Sequence, residues 1–310
     1  MVPASPSAPQ TPRPRIVLLV NRGKPPVAEA LASFVPWLEQ RAEVVGILGT
    51  EENASNDGAH LPSAEMAMIL GGDGTFLSQA RVLVDRGIPT LGVNFGKVGF
   101  LAEWDIEHVK RHWDTLSCGG CRRTQRIMID VDVFPETIDP YAVRQGESPD
   151  RLDRYLAMND AVIAAGPPYR MVEFEVAIEP ANVRRPAVTV AGDGLIVATP
   201  SGSTAYNLSA GGPIVSPGVE ALMLSAISPY TLAFRPIVFG SECDVWITLT
   251  RANAGTALVV DGQPAIPLRE GQHVRVTKHR KMLTLIQNPE LTYWSMLSHK
   301  MRWAVRPRGD

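Results

Sequence analysis

Ile16 to Val20 is a short, unbroken apolar run, the form taken by a strand covered on both faces in a parallel sheet. A helix is expected next over Val27 to Gln40, with Val27, Leu31, Phe34 and Leu38 on one face and Pro36 shortening or kinking it. Similar apolar runs predict strands at Val44 to Leu48, Met66 to Leu70 and Thr90 to Val93. The polar stretch 50 to 63 reads as a loop, and Phe76 to Val84 as a second amphipathic helix with Thr75 as its N-cap. Strands alternating with helices predict a doubly wound, Rossmann-like α/β domain.

After about residue 120 the apolar period becomes two. Ile127, Ile129, Val131 and Val133 share one face of a strand, as do Val172, Phe174, Val176 and Ile178. Further strands are expected at Leu156 to Ile163, Val188 to Val190, Leu195 to Ala198, Val245 to Leu249, Ala257 to Val260, Val274 to Val276 and Leu283 to Ile286. Pro135 to Asp153 has no period and reads as a long exposed loop, while 290 to 303 is helical again. The expected organisation is a disordered Pro/Ser-rich tail over 1–15, an α/β domain over 16–120, a mainly β domain over 121–287 and a C-terminal helix within 288–310.

Composition narrows the function. The 310 residues are 45% hydrophobic and 20% charged, an ordinary globular balance. Thirty basic against thirty-two acidic residues leave a net charge of -2, so no global basic field grips nucleic acid or an anionic membrane. No run reaches the roughly 18 uninterrupted apolar residues that a membrane span needs. Three cysteines make no disulfide framework and point to the cytoplasm.

Phosphate must then be held locally, and Gly71-Gly72-Asp73-Gly74-Thr75 lies where open α/β sheets bind ligands, between an apolar strand and a helix. Its glycines let the backbone approach a phosphate chain, and the helix start adds a positive dipole end. Asp73 opposes that attraction and makes sense as a base or metal partner, the plain alternative being an Asp-Gly turn. The long run Gly192-Asp193-Gly194 followed by TPSGSTAYNLSAGGPIVSP offers Ser201, Ser203, Thr204 and Ser209 as short donors and acceptors, with Tyr206 as the aromatic able to cap a flat ring. Asn159 and Asp160 interrupt an apolar strand and need partners, in a ligand or in a local turn. Cys118 and Cys121 have zinc half-site spacing with His108 and His112 upstream, but a plain helix-to-strand loop is the favoured reading and no metal is assigned to them.

In order along the chain, GGDGTFL, NFGKVGFLAEW, AMNDAVI and AGDGLIVATPSGSTAYNLSAGGPIVSP resemble the NAD kinases, over about residues 66 to 287, and YWSMLSHKMRW is similar to that family's C-terminal helix. GGDG alone is shared with diacylglycerol, sphingosine and 6-phosphofructo kinases; the later motifs decide. The resemblance implies the NAD kinase/diacylglycerol kinase-like fold, with the last helix packing back on the N-terminal domain. It implies transfer of the terminal phosphoryl group of ATP or polyphosphate, with Mg²⁺, to the 2′-hydroxyl of the adenosine ribose of NAD, by a homodimer or homotetramer. Asp73 matches the catalytic aspartate, and Gly72 and Gly74 the phosphate path beside it, with Thr75 among the substrate- or cofactor-binding residues. Phe100 matches an aromatic lying against adenine, and Asn159 with Asp160 the pair that holds ribose and nicotinamide. Asp193, Ser201, Thr204, Ala205, Tyr206 and Ser209 match positions lining the dinucleotide site. Asp261-Gly262-Gln263 resembles a motif that approaches the site and is equally an ordinary hairpin turn. Tyr230 stands where many members have His.

Three alternatives are weighed against this. A dehydrogenase would show GxGxxG after its first strand, where NRGKPPV stands. A non-catalytic NAD-binding protein would be expected to lose the carboxylate of GGDGT, which is present. A related lipid kinase would share only the first motif.

Overall fold

The structure, a computed structural model, describes residues 13–302 apart from 52–58, 97, 145, 148, 184 and 264. Most of the expected tail therefore lies outside the described residues, as does part of the 50–63 loop. The chain forms two compact units, one made of residues up to Thr124 together with Thr284 onward, the other of Gln125–Leu283.

The first unit is built on a six-stranded sheet. Its elements are β1 (Arg15–Val20), α1 (Pro25–Glu39), β2 (Glu43–Gly49), β3 (Met66–Leu70), α2 (Asp73–Arg86), β4 (Thr90–Val93), α3 (Ile106–Arg111), α4 (Trp113–Ser117) and β5 (Arg123–Arg126), joined late in the chain by β18 (Leu283–Ile286). The strand order is β2-β1-β3-β4-β18-β5. The β1–β2, β1–β3, β3–β4 and β4–β18 pairs are all parallel. Ile16 to Val20 and Ala67 to Leu70 are wholly buried, as strands covered on both faces must be. β1 begins at Arg15, and the Pro14 carbonyl already accepts from Glu43 N–H, so the last residues of the expected tail belong to the first unit's sheet.

Two helix expectations need correction. Helix α1 starts at Pro25 and runs through Pro36 to Glu39, so it starts before Val27 and ends one residue short of Gln40, with Val27, Phe34 and Leu38 buried. Helix α2 begins at Asp73 with Gly72 as its cap, so Thr75 is not an N-cap but lies in the first turn. There the Thr75 hydroxyl accepts from Asn21 Nδ2 at 3.1 Å, which fastens the end of β1 to the glycine loop. Helix α2 stops at Gly87, in the left-handed conformation that favours glycine.

The second unit is a sandwich of two six-stranded sheets. One has the order β10-β9-β14-β17-β6-β7, from β6 (Ile129–Phe134), β7 (Asp153–Ala157), β9 (Val172–Ile178), β10 (Val188–Gly192), β14 (Val245–Arg251) and β17 (His273–Lys278). The other has the order β13-β12-β11-β8-β15-β16, from β8 (Asp160–Ala164), β11 (Gly194–Ala198), β12 (Ala221–Ile227), β13 (Ile237–Gly240), β15 (Ala257–Val260) and β16 (Ile266–Pro267). Alternate residues of both sheets, among them Val131, Phe174, Val197, Leu224 and Leu258, share one core.

The single strand expected over Leu156 to Ile163 is in fact two. The chain leaves β7 in one sheet and enters β8 in the other, turning at Met158-Asn159, so the polar break marks a change of sheet. The 135–153 loop is not simply exposed, because Val143 is buried beside Phe134 and Trp246. Among the described residues no helix is long and apolar enough to cross a membrane.

A short helix α5 (Tyr206–Ser209) follows β11, and α6 (Tyr293–Met301) ends the described chain, opened by a capping box between Thr292 and Ser295. The segment between β18 and α6 is tied to the first unit. Trp104 Nε1 donates to the Ile286 carbonyl at 3.0 Å, and Asn288 Nδ2 to the Glu103 carbonyl at 3.1 Å.

The 102–104 segment lies close against β4, with Trp104 N–H donating to the Gly92 carbonyl at 3.0 Å. A Cβ on Gly92 would sit 2.7 Å from Ala102 Cα and 2.9 Å from the Phe76 ring. Gly92→Ala is therefore expected to cost about 1–3 kcal/mol, the range for forcing a methyl into a packed core, read as a lowered denaturation midpoint of the first unit.

Candidate functional site

At the C-terminal end of β3 the GGDGT loop has no room for a side chain at its first glycine. A Cβ on Gly71 would meet Thr75 Oγ1 at 2.6 Å. Asp73, in the first turn of α2, turns its carboxylate onto three successive main-chain donors. Oδ2 accepts from Phe100 N–H at 2.9 Å, and Oδ1 from Leu101 and Ala102 N–H at 3.2 and 2.9 Å. A side chain at Gly99 would overlap that carboxylate. The carboxylate offers about four lone-pair positions, so Oδ2 keeps one for a further donor.

Phe100, placed by this clamp, has its ring 6.1 Å from that of Tyr293, with Lys300 Nζ 5.1 Å from the ring centroid. Both partners belong to α6. A cavity of about 500 Å³ opens beside Asp73, lined among others by Lys24, Gly72, Asn94, Gly96, Gly99 and Lys300. Gly72, Asp73, Thr75 and Phe100 are thus brought together, and Gly74 leads α2 beside them with open space at its Cβ position.

In the second unit another aspartate repeats the device. Asp261 Oδ2 accepts from Met158 N–H at 2.9 Å, and Oδ1 from Asn159 and Asp160 N–H at 2.7 and 3.1 Å. It occupies a turn with positive φ at both Asp261 and Gly262, closed by Gln263 N–H donating to the Val260 carbonyl at 2.9 Å. Asp261-Gly262-Gln263 is thus a hairpin turn, and its carboxylate holds the 158–160 corner. Periodicity missed the role of Asp261; the Asp-Gly pair directly after an apolar strand was its one signal.

The corner at Asn159 is also packed against the long loop. Gly202 sits where any Cβ would overlap the Asn159 carbonyl, and Thr199 N–H donates to that carbonyl at 2.8 Å. Ser201, Thr204, Ala205 and Tyr206 follow directly, Tyr206 being 46% exposed and available to a ligand. Ser209 closes α5 and is exposed. Ser203 is different, since its buried hydroxyl donates to the Pro200 carbonyl at 2.7 Å and serves the loop itself. Asn207 does the same, accepting from Ser225 Oγ at 2.7 Å and donating to the Pro213 carbonyl at 3.0 Å. Asp193 stands apart at the start of β11, a strand's length from Ser201, with its side chain exposed.

The histidines and cysteines do not assemble. His112 Nε2 lies 2.7 Å and His108 Nε2 3.3 Å from Glu290, with Arg111 Nη1 at 2.5 Å, and these partners hold the Glu290 carboxyl at about 2. Cys121 is buried in the first unit's core, and the Cys118 thiol donates to the Thr115 carbonyl. Among the described residues no group of three or more His, Cys, Asp or Glu could hold a metal ion. Lys24, Asn94 and Lys300 were not marked by sequence reasoning; Lys24 lies in the NRGKPP segment after β1, beside GGDGT in the sheet order.

Two family models match the chain, the ATP-NAD kinase N-terminal domain over residues 17–120 and the ATP-NAD kinase C-terminal domain over residues 158–288. It is 36% identical over 298 residues to the NAD kinase of Heliobacterium modesticaldum, covering 93% of this chain and 99% of that one. It is 35% identical over 295 residues to the NAD kinase of Moorella thermoacetica, covering 93% and 89%. Among solved structures, yeast NADH kinase complexed with NADH superposes with a TM-score of 0.79 at 20% identity, covering 97% of this chain and 91% of that one. An NAD kinase from Archaeoglobus fulgidus in complex with ATP superposes at 0.66 and 22%, covering 93% and 98%. The chain belongs to the NAD kinase family.

Burial, with the Asp261 carboxylate nearby, raises the Asp160 carboxyl to about 7. The folded value lies above the unfolded one, so the native state binds the proton more tightly and loses stability as pH rises from about 4 to 7. Asp160→Asn is neutral throughout. It is expected to be more stable than the parent above pH 7, on the order of 4 kcal/mol, with the difference vanishing near pH 4. Urea unfolding at pH 4 and 8 measures this; equal midpoints at both would refute it.

Proposed function

We propose that this member of the NAD kinase family transfers the terminal phosphoryl group of ATP to the 2′-hydroxyl of the adenosine ribose of NAD, giving NADP. The carrying observation is Asp73, a carboxylate at a glycine-walled cavity with one acceptor position left after three amides are served. The donor's phosphates are assigned to that cavity. Asn159, Asp160, Ser201, Thr204, Ala205, Tyr206 and Ser209, with Asp193, are assigned to the dinucleotide, and Phe100 to its adenine.

Phosphoryl transfer runs through a loose transition state, so the protein's work is alignment and charge stabilisation. The ribose hydroxyl is a weak nucleophile at neutral pH. Hydrogen-bonded to Asp73 Oδ2, it is held in line, and its proton passes to the carboxylate as the new P–O bond forms and the bond from the transferring phosphorus to the bridging oxygen breaks, releasing ADP. The amides of Phe100, Leu101 and Ala102 keep that carboxylate from swinging away. Mg²⁺ fits as an ion borne by the nucleotide, since Mg²⁺ commonly takes one or two carboxylates plus substrate phosphates, and it would neutralise charge on the transferring group. Inorganic polyphosphate is the alternative donor. A homodimer or homotetramer in the cytoplasm completes the proposal, supported by exposed Tyr230, Leu232 and Val238 around β13 and by three free cysteines.

Purified protein supplied with NAD, Mg²⁺ and either ATP or polyphosphate should yield NADP, detected with an NADP-specific dehydrogenase. Asp73→Asn should lower turnover about 100- to 10,000-fold while NAD binding persists by calorimetry. Loss of NAD binding alone would assign Asp73 to loop anchoring only. Tyr206→Ala should raise KM for NAD about tenfold; unchanged NAD kinetics would remove Tyr206 from the site.

A further inference from the structure

Among the described residues, two ammonium groups line the cavity beside Asp73, and they come from segments far apart in the chain. Lys24 caps α1, and its Nζ lies 3.5 Å from where a Cβ on Gly72 would stand. Lys300 extends from α6 across the Phe100 ring toward the same cavity. Neither makes an ion pair among the described residues. The carboxylate among the described lining residues, Asp73, is already committed to main-chain donors. Gly71, Gly72, Gly96 and Gly99 form walls without side chains, which lets an occupant come close to the backbone. Two unpaired cations facing one cavity repel each other until an anion lies between them, and an ammonium serves phosphate as a point charge without demanding a fixed orientation.

We propose that Lys24 and Lys300 bind the phosphate chain of the phosphoryl donor, whether it is carried on a nucleoside or is inorganic. The proposal rests on the phosphoryl-transfer reading above. It gives α6 a direct part in donor binding. The Phe100 ring limits where Lys300 can point, and Asp73 sets that ring through the Phe100 amide, so the base and one donor contact share a support.

Titration calorimetry with inorganic tripolyphosphate, which has no base or ribose, tests this without turnover. Lys24→Gln and Lys300→Gln should each weaken tripolyphosphate binding about tenfold, and KM for ATP should rise in parallel while KM for NAD stays within about twofold. Lys24→Arg and Lys300→Arg keep the charge and should keep most of the affinity. Both side chains are exposed, so melting temperatures should not change. The assignment is overturned if the parent does not bind tripolyphosphate, if the Gln variants bind it as the parent does, or if KM for NAD rises instead. A chain that bound tripolyphosphate through both lysines yet made no NADP would refute NAD phosphorylation and leave the lysine site standing.

Discussion

A carboxylate that accepts three successive main-chain N–H groups is the interaction on which the functional regions of both units depend. Irregular backbone must pair its donors somewhere, and a loop of three residues has no strand or helix partner to offer. Asp73 solves this for 100–102 and Asp261 for 158–160. The ionised acceptor makes each bond stronger than an amide-to-carbonyl bond. In each case the clamped segment carries a residue expected to touch the dinucleotide, Phe100 in one and Asn159 with Asp160 in the other. Position is imposed by charge at a distance in sequence and not by local turn propensity.

Much of the fold was legible because it rests on runs and periods. β1 and β3 read as buried strands from unbroken apolar stretches, and the period-two stretches announced the sandwich. β12 escaped, since ALMLSAI is rich in residues that favour helices and shows no alternation. The continuous strand expected through Asn159 failed for a related reason. Its two halves are equally apolar, and the change of sheet is dictated by Asp261, about a hundred residues later, which no window of sequence contains.

The candidate site was legible to the extent that side chains announce chemistry. GGDGT, Asn159-Asp160 and the Ser/Thr-rich loop stood out, but the loop's hydroxyls divide in a way spacing does not show. Ser203 and Asn207 are buried and hold the loop together, while Tyr206 and Ser209 are exposed. The main-chain amides that receive Asp73 have no signature at all. Lys24 and Lys300 were invisible because each is an ordinary surface lysine until the sheet order and the C-terminal helix bring both to one cavity.

The discontinuity of the first unit sets the order in which it can be completed. Strand β18 lies between β4 and β5 in the sheet, yet it follows the whole second unit in the chain. On the ribosome, β1 to β4 emerge early; Trp104 soon covers the Gly92 end of the free edge of β4, but the Thr90 end waits for Leu285 through the synthesis of the entire sandwich. Unpaired strand edges are the parts of a nascent chain most open to wrong partners. Helix α6 comes later still, bringing Lys300 and Tyr293 to Phe100, so this chain cannot assemble its cavity until the whole second unit has been made.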